Sequence, residues 1–277
     1  MIISAQHERY FMTSRDQTLP LYIESIGYNG NQESVKRPSG YPCYHWLQTV
    51  KGAGEFRFAG STLILGESSG ILMAPNVPHE YLRSQGDWET LYITFAGSQC
   101  SAITEGLGLG EAAIYQWEAD SPPEHYGRQV LGSMGSDQDL SGLEASADMY
   151  RFLILLKKHG MKGSRSSISH AVERLAPLIA YMERHYADPD IGLEEMAAIL
   201  GITPRHLNTL FKQSLGMTAY SYFILLRIRK SKELMTGDRM LTIKETATRV
   251  GFRDASHFVA TFRRIEHVTP EQFRTLY

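Results

Sequence analysis

The 277-residue sequence predicts an α+β protein of two domains, a β-rich N-terminal half and an all-α C-terminal half. Three observations carry this. Between Tyr41 and Gly97, short apolar or alternating runs recur with Gly, Asn or Pro between them, the pattern of a small antiparallel barrel or sandwich. Beyond Gly97 the apolar period becomes helical. In the last hundred residues a unit of roughly fifty residues occurs twice, which signals duplicated architecture.

In chain order, Pro20, Gly27, Gly30, Pro38 and Gly40 break up the first forty residues, and 21–26 reads as a strand. Strands are expected in YHWLQTV (44–50), GEFRFAG (54–60), STLILGE (61–67), GILMAP (70–75) and ETLYITFAG (89–97). A short helix is expected near 98–107. Pro122, Pro123, Gly127, Gly132 and Gly135 predict that any helix in 118–138 is short. Residues 140–159 form a better helix, with Leu143, Ala147, Tyr150, Leu153, Ile154 and Lys157 close to one stripe. GMKGSRSS (160–167) is small, polar and basic, the composition of a linker. The domains are therefore placed at 1–160 and 168–277, joined by 161–167.

The C-terminal domain opens with a helix over 169–186 containing Pro177. In LEEMAAILGITPRHLNTLFKQSLG (193–216), Leu193, Met196, Ala197 and Leu200 mark one helical face and Gly201 ends it. Thr203 suits an N-cap and Pro204 the first helical position. The second helix buries Leu207, Leu210 and Phe211 and displays Arg205, His206, Asn208, Thr209 and Lys212, side chains that can donate to phosphates and base edges. A long helix over 218–235 leads to the second copy. Ala197 recurs as Ala247 and Gly201 as Gly251; one residue out of step, Leu207 recurs as Phe258, Phe211 as Phe262 and Thr218 as Thr269. The two helix-turn-helix units span 193–215 and 242–265, and Thr269-Pro270 starts a last short helix.

Composition is that of an ordinary globular protein, and no run approaches the ~18 apolar residues of a membrane span. The N-terminus lacks the apolar run of a signal peptide, and two cysteines, Cys43 and Cys100, suit a reducing compartment, so a cytoplasmic location is expected. The net charge of −2 hides an asymmetry: residues 1–169 carry 13 Lys and Arg against 18 Asp and Glu, residues 170–277 carry 15 against 12. The basic excess lies with the repeated motif, as attraction to phosphate requires.

These motifs resemble the AraC/XylS family of bacterial transcription regulators. The resemblance is carried by Arg249-Val250-Gly251-Phe252, Ser256, Phe258, Thr261-Phe262-Arg263-Arg264, Thr269-Pro270 and Phe273-Arg274, within a match over the whole of 170–277. Gly70, Pro75, Pro78-His79 and Tyr92-x-x-Phe95-x-Gly97 resemble the sugar-sensing, cupin-like barrel of many members. Ser231, Thr246 and His267 depart from the family pattern of Ala, Ile and Gly; a buried Thr246 needs a hydrogen-bond partner, and His267 must tolerate a left-handed turn.

The resemblance implies base contacts from Arg205, Asn208 and Thr209, with Arg pairing to guanine and Asn to adenine. The matching positions of the second reading helix are Ala255, Ser256, His257 and Ala260. Its two alanines can meet only thymine methyls, so the first helix is expected to discriminate and the second to position. Lys212, Arg253 and Arg263 are the phosphate candidates. In the barrel, His45, Trp46, Gln48, His79, Tyr81, Trp88 and Tyr92 combine aromatic walls with polar groups, as a sugar site requires. Alternation allows about half of them to face inward, and neighbouring His45 and Trp46 should face opposite ways.

An enzyme is the rival class, a cupin-type metalloenzyme its sharpest form. His45 and His79 are the barrel's histidines, no H-x-H pair occurs, and a catalytic metal needs three ligands and an open position. No metal, cofactor or catalytic residue is expected. The sequence thus points to a regulator, an activator by resemblance, with double-stranded DNA, a carbohydrate-like effector and a second copy as partners, and RNA polymerase as a candidate partner. The 140–159 helix is the candidate dimer contact. Control by a partner protein or by oligomerisation, with no small ligand, is the alternative.

Overall fold

The computed structural model describes residues 7–11, 18–84, 86–134, 142–162 and 168–276. It divides into two compact units, Met1–Ser169 and His170–Tyr277. Of the expected linker, 163–167 lie outside the described residues. Met161 belongs with the first unit, since its backbone exchanges hydrogen bonds of 2.7 and 3.0 Å with Gln116.

The first unit holds two antiparallel sheets. One has six strands in the order β1 (His7–Phe11), β2 (Tyr22–Asn29), β9 (Glu89–Ala96), β4 (Tyr44–Lys51), β7 (Ser69–Met73), β10 (Ala113–Gln116). The other has four, in the order β3 (Val35–Arg37), β8 (His79–Arg83), β5 (Gly54–Phe58), β6 (Ser61–Leu65). All five glycine-bounded runs are strands. The short strands β1, β3, β8 and β10 show no clear alternation of their own and take their conformation from the strands they pair with.

Alternation along β4 sorts side chains between two cores. Tyr44 and Trp46 face the layer of α1 (Cys100–Gly106), α2 (Pro122–Met134) and α3 (Leu143–His159), packing with Phe95, Tyr115, Phe152 and Leu156. Leu47 faces the second sheet, packing with Phe56, Ile71, Tyr81 and Trp88. The expectation that a helix near 118–138 is short needs correction, because α2 runs thirteen residues. Pro122 starts it, where a missing N–H costs nothing. Gly127 lets it lie close on β9, since a Cβ there would stand 2.8 Å from Leu91 Cδ2.

The second unit is all helix: α4 (Ile168–His185), α5 (Leu193–Ile199), α6 (Pro204–Leu215), α7 (Ala219–Gly237), α8 (Ile243–Arg249), α9 (Ala255–Glu266) and α10 (Pro270–Leu276). Helix α7 is its spine. Phe223 and Leu226 pack into one core with Met196, Leu207 and Phe211; Ile224, Ile228 and Met235 pack into another with Val250, Phe258 and Phe262. One helix therefore buries the inner faces of both helix-turn-helix units.

Each unit pairs a seven-residue helix with a twelve-residue one. Thr203 caps α6 by accepting from His206 N, and Asp254 caps α9 by accepting from His257 N. Gly216 and His267 close the two helices in the left-handed conformation, with φ of +73° and +63°. The one-residue offset between the copies lies in the turn, where Gly251-Phe252-Arg253-Asp254 replaces Gly201-Ile202-Thr203. Thr246 is buried and donates to Thr242 O at 3.0 Å; Ser231 is buried and donates to Ile228 O at 2.7 Å. Both unusual hydroxyls are thus satisfied within their own helices.

Candidate nucleic-acid interface and effector cavity

The outward face of α6 carries Arg205, His206, Thr209 and Lys212, all exposed. Among the described residues the Arg205 and Lys212 side chains have no hydrogen bond or ion pair, so both are available to a ligand. Thr209 donates its hydroxyl hydrogen to Arg205 O at 3.0 Å and keeps a methyl and an acceptor outward. Asn208 is placed differently from its neighbours. It is half-buried, and its Oδ1 accepts from Ala219 N at 3.2 Å, tying α6 to the first turn of α7. A two-bond pairing with adenine needs that oxygen, so in this arrangement only the Asn208 amide N–H groups can reach a base.

On α9, Ser256, His257, Ala260 and Arg263 are exposed, while Thr261 turns inward and is buried. Arg263 lies in the last turn and, among the described residues, its side chain has no partner. Arg253 donates to Asp190 in an ion pair whose side chains are 71% and 76% exposed. At that exposure the pair is weak, so phosphate can compete for the guanidinium. The structure thus brings Arg205, Thr209 and Lys212 together on α6, and Ser256, His257 and Arg263 on α9, with Arg253 just before α9.

The first unit contains a cavity of about 240 Å³ between its two sheets. One cross-strand row of the six-stranded sheet, Ser25, Thr94 and His45, supplies part of the wall. Tyr81 and Arg37 come from the other sheet. Of the sequence-predicted ligand residues, His45, Tyr81 and Tyr92 line this cavity. His79 lies beside it, its ring centroid 5.6 Å from that of His45, and opens onto a neighbouring groove.

Three predicted ligand residues are corrected by the fold. Trp46 points to the helical layer, where it packs edge-on against Phe152. Gln48 points the same way and donates to Glu124 O at 2.9 Å. Trp88 is fully buried core; it donates to Thr49 Oγ1 at 3.0 Å and fills the space over Gly54. Residue type proposed all three, and strand parity removed the first two. Among the lining residues that sequence reasoning missed are Arg9, Arg37 and Tyr41. They lie in or beside short strands whose sequences carry no period, so residue pattern held no signal for them.

Arg37 organises the polar wall. Its Nη1 donates to His45 Nδ1 at 3.0 Å and to His79 Nε2 at 3.4 Å, and its guanidinium stacks over Tyr41 at 4.6 Å. Burial, then Arg37, then His79 hold His45 well below the ordinary histidine value. Burial likewise lowers His79, against a hydrogen bond to Val77 O and with Arg37 adding to the fall. Both rings are therefore neutral acceptors toward Arg37, and a cation occupies the place between them. Among the described residues no three metal-ligating side chains come together.

Residues 22–153 match the family model described as the AraC-like ligand binding domain, and residues 196–275 match the one described as a helix-turn-helix domain. The HTH-type transcriptional activator RhaS of Escherichia coli (strain SE11) is 27% identical over 151 residues, taking in 53% of this chain and 52% of that protein. The chain thus spans about half the length of the curated relatives it matches. Among solved structures, the C-terminal domain of AraT, a response regulator from Geobacillus stearothermophilus, is 29% identical, covering 38% of this chain and 85% of that one with a TM-score of 0.36. An AraC-type transcriptional regulator from Chromobacterium violaceum is 26% identical, covering 39% and 94%, with a TM-score of 0.36. With an AraC-like ligand binding match over its first unit and a helix-turn-helix match over its second, the chain is similar in both units to AraC-type transcription regulators.

Proposed function

We propose that the protein is a sequence-specific DNA-binding transcription regulator, an activator controlled by a small carbohydrate-like molecule in the N-terminal cavity. The observation that carries this reading is the pair of reading helices, α6 and α9, mounted on the single helix α7 with polar and basic outer faces. Arg205 and Thr209 read bases and Asn208 contributes its amide N–H; Lys212, Arg253 and Arg263 hold phosphates, with Ser256 and His257 completing the second helix. The similarity to the Escherichia coli transcriptional activator RhaS supports activation, with RNA polymerase as the partner activation requires.

The cavity supports a small effector through its tyrosines and hydroxyls. Helix α3 buries Ala145, Met149, Phe152, Leu153 and Leu156 on its own sheet and leaves Leu143 and Tyr150 exposed at 58% and 47%. That second apolar face is the proposed contact of a homodimer in the cytoplasm. Effector binding would then bias how the dimer presents its DNA-binding units. The test is selection of bound duplexes from a random pool by the full chain, with and without a carbohydrate panel. A consensus whose enrichment changes with one compound supports the reading, and recovery of no preferred sequence overturns it.

A further inference from the structure

We infer that the N-terminal cavity takes a small polyhydroxylated carboxylate, an aldonic or uronic acid, and that Arg37 receives its carboxylate. The inference rests on the reading of the barrel as an effector site and narrows the effector's chemistry.

At about 240 Å³ the cavity is smaller than the ~300–1,000 Å³ typical of drug-sized ligands, so its occupant is small. Among the described residues its wall carries two cations, Arg9 and Arg37, and no carboxylate. Glu24 is an acid close by, but its Oε2 already accepts from Tyr41 at 3.0 Å and Thr94 at 2.5 Å, and it does not line the cavity. Neither arginine has an acidic partner among the described residues. Arg9 lies over the Tyr92 ring at 5.5 Å.

Arg37 spends only Nη1 on His45 and His79, and both rings are uncharged. Nε and Nη2 form one edge of the guanidinium, and among the described residues that edge has no partner. Two parallel N–H groups on such an edge match the two oxygens of a carboxylate. A neutral sugar would leave the charge of a partly buried arginine uncompensated, which costs free energy. The hydroxyl and amide groups of Ser25, Asn29 and Tyr81 line the same space and suit the ligand's hydroxyls.

The experiment is titration of the full chain, followed by calorimetry and thermal melting, with matched probes: galacturonate against galactose, gluconate against glucose, and galactose 1-phosphate with inorganic phosphate. DNA binding is measured on the same preparation. The expected result is that at least one carboxylate binds about tenfold or more tighter than its neutral parent. Arg37→Gln should erase that difference, and Arg37→Lys, which keeps charge but not the fork, should restore part of it. Equal or tighter binding of a neutral parent overturns the inference while leaving a small-molecule effector in place. Binding of phosphates alone, or of no probe while DNA is still bound, also overturns it and leaves DNA binding untouched. If Arg37→Gln fails to fold, the comparison of probes on the unaltered chain decides.

Discussion

The guanidinium of Arg227 occupies the space that a side chain at position 251 would need: a Cβ on Gly251 would stand 2.9 Å from Arg227 Nη2 and 2.5 Å from Tyr186 O. Arg227 is buried on α7, donates Nε to Tyr186 O at 2.9 Å and Nη2 to Asp188 O at 2.5 Å, and lies 4.2 Å over the Phe223 ring. One cation thus ties the end of α4 and the spine helix to the turn of the second helix-turn-helix. Gly251 has φ of +80°, which adds a backbone reason for glycine. Arg227→Met should destabilise the chain by about 2 kcal/mol, because the carbonyls of half-buried Tyr186 and exposed Asp188 lose the charged donor that a buried arginine supplies. Gly251→Ala should cost about 2 kcal/mol from the left-handed backbone and the displaced arginine. Urea unfolding followed by helical circular dichroism checks both, and a loss under half a kcal/mol for Arg227→Met would mean that solvent replaces the arginine freely.

Arg205→Ala should weaken binding to the preferred site by about 1–3 kcal/mol and relax its sequence preference. Competition binding against single-base variants of that site measures this. Equal loss on every variant would make Arg205 a phosphate contact.

Asn208 separates stability from recognition. Asn208→Ala should cost about 1 kcal/mol of stability through loss of the acceptor for Ala219 N. Asn208→Asp keeps the acceptor and should hold its melting temperature, but it puts a negative charge near DNA and should bind more weakly. If both variants melt like the parent, the bond to Ala219 contributes nothing.

Arg253→Ala should change stability by less than about 1 kcal/mol, since its pairing with Asp190 is exposed. Affinity should fall alike on all sequences, and the slope of log affinity against log salt should shrink by about 1. An unchanged slope would place Arg253 off the DNA.

The buried histidines predict a pH dependence. His45 and His79 are held below the ordinary histidine value of 6.5 in the fold, so the unfolded chain takes up protons first as pH falls. Their contribution is complete above that value and is lost progressively below it, with fully buried His45 supplying the larger part. Melting temperature should drop between pH 7 and pH 5, and His45→Gln should flatten part of the drop.

Local pattern accounts for most of the architecture. The glycine-bounded runs, the caps at Thr203 and Thr242, and the recurrence of Gly201 as Gly251 mark the barrel strands and both helix-turn-helix units, because strand alternation, capping and left-handed turns are set by residues close in sequence. The exposed faces of α6 and α9 follow from the same periodicity, so Arg205, Lys212, Ser256 and Arg263 could be found without coordinates. The cavity could not. Its wall joins Arg37 on a three-residue edge strand to His45 and Thr94 on the opposite sheet, and only strand pairing and parity decide that Trp46 and Gln48 turn away while His45 turns in. Asn208 shows the same limit: its place on the helix was legible, but its bond to Ala219 exists only because α7 packs beside it. The sequence by itself determined the glycine-bounded strands, the helices of the second unit and most of the side chains those helices show to solvent, because these depend on residues close in the chain. The tertiary structure decided which side chains from distant strands and helices meet, because that depends on register and packing between elements far apart in the chain.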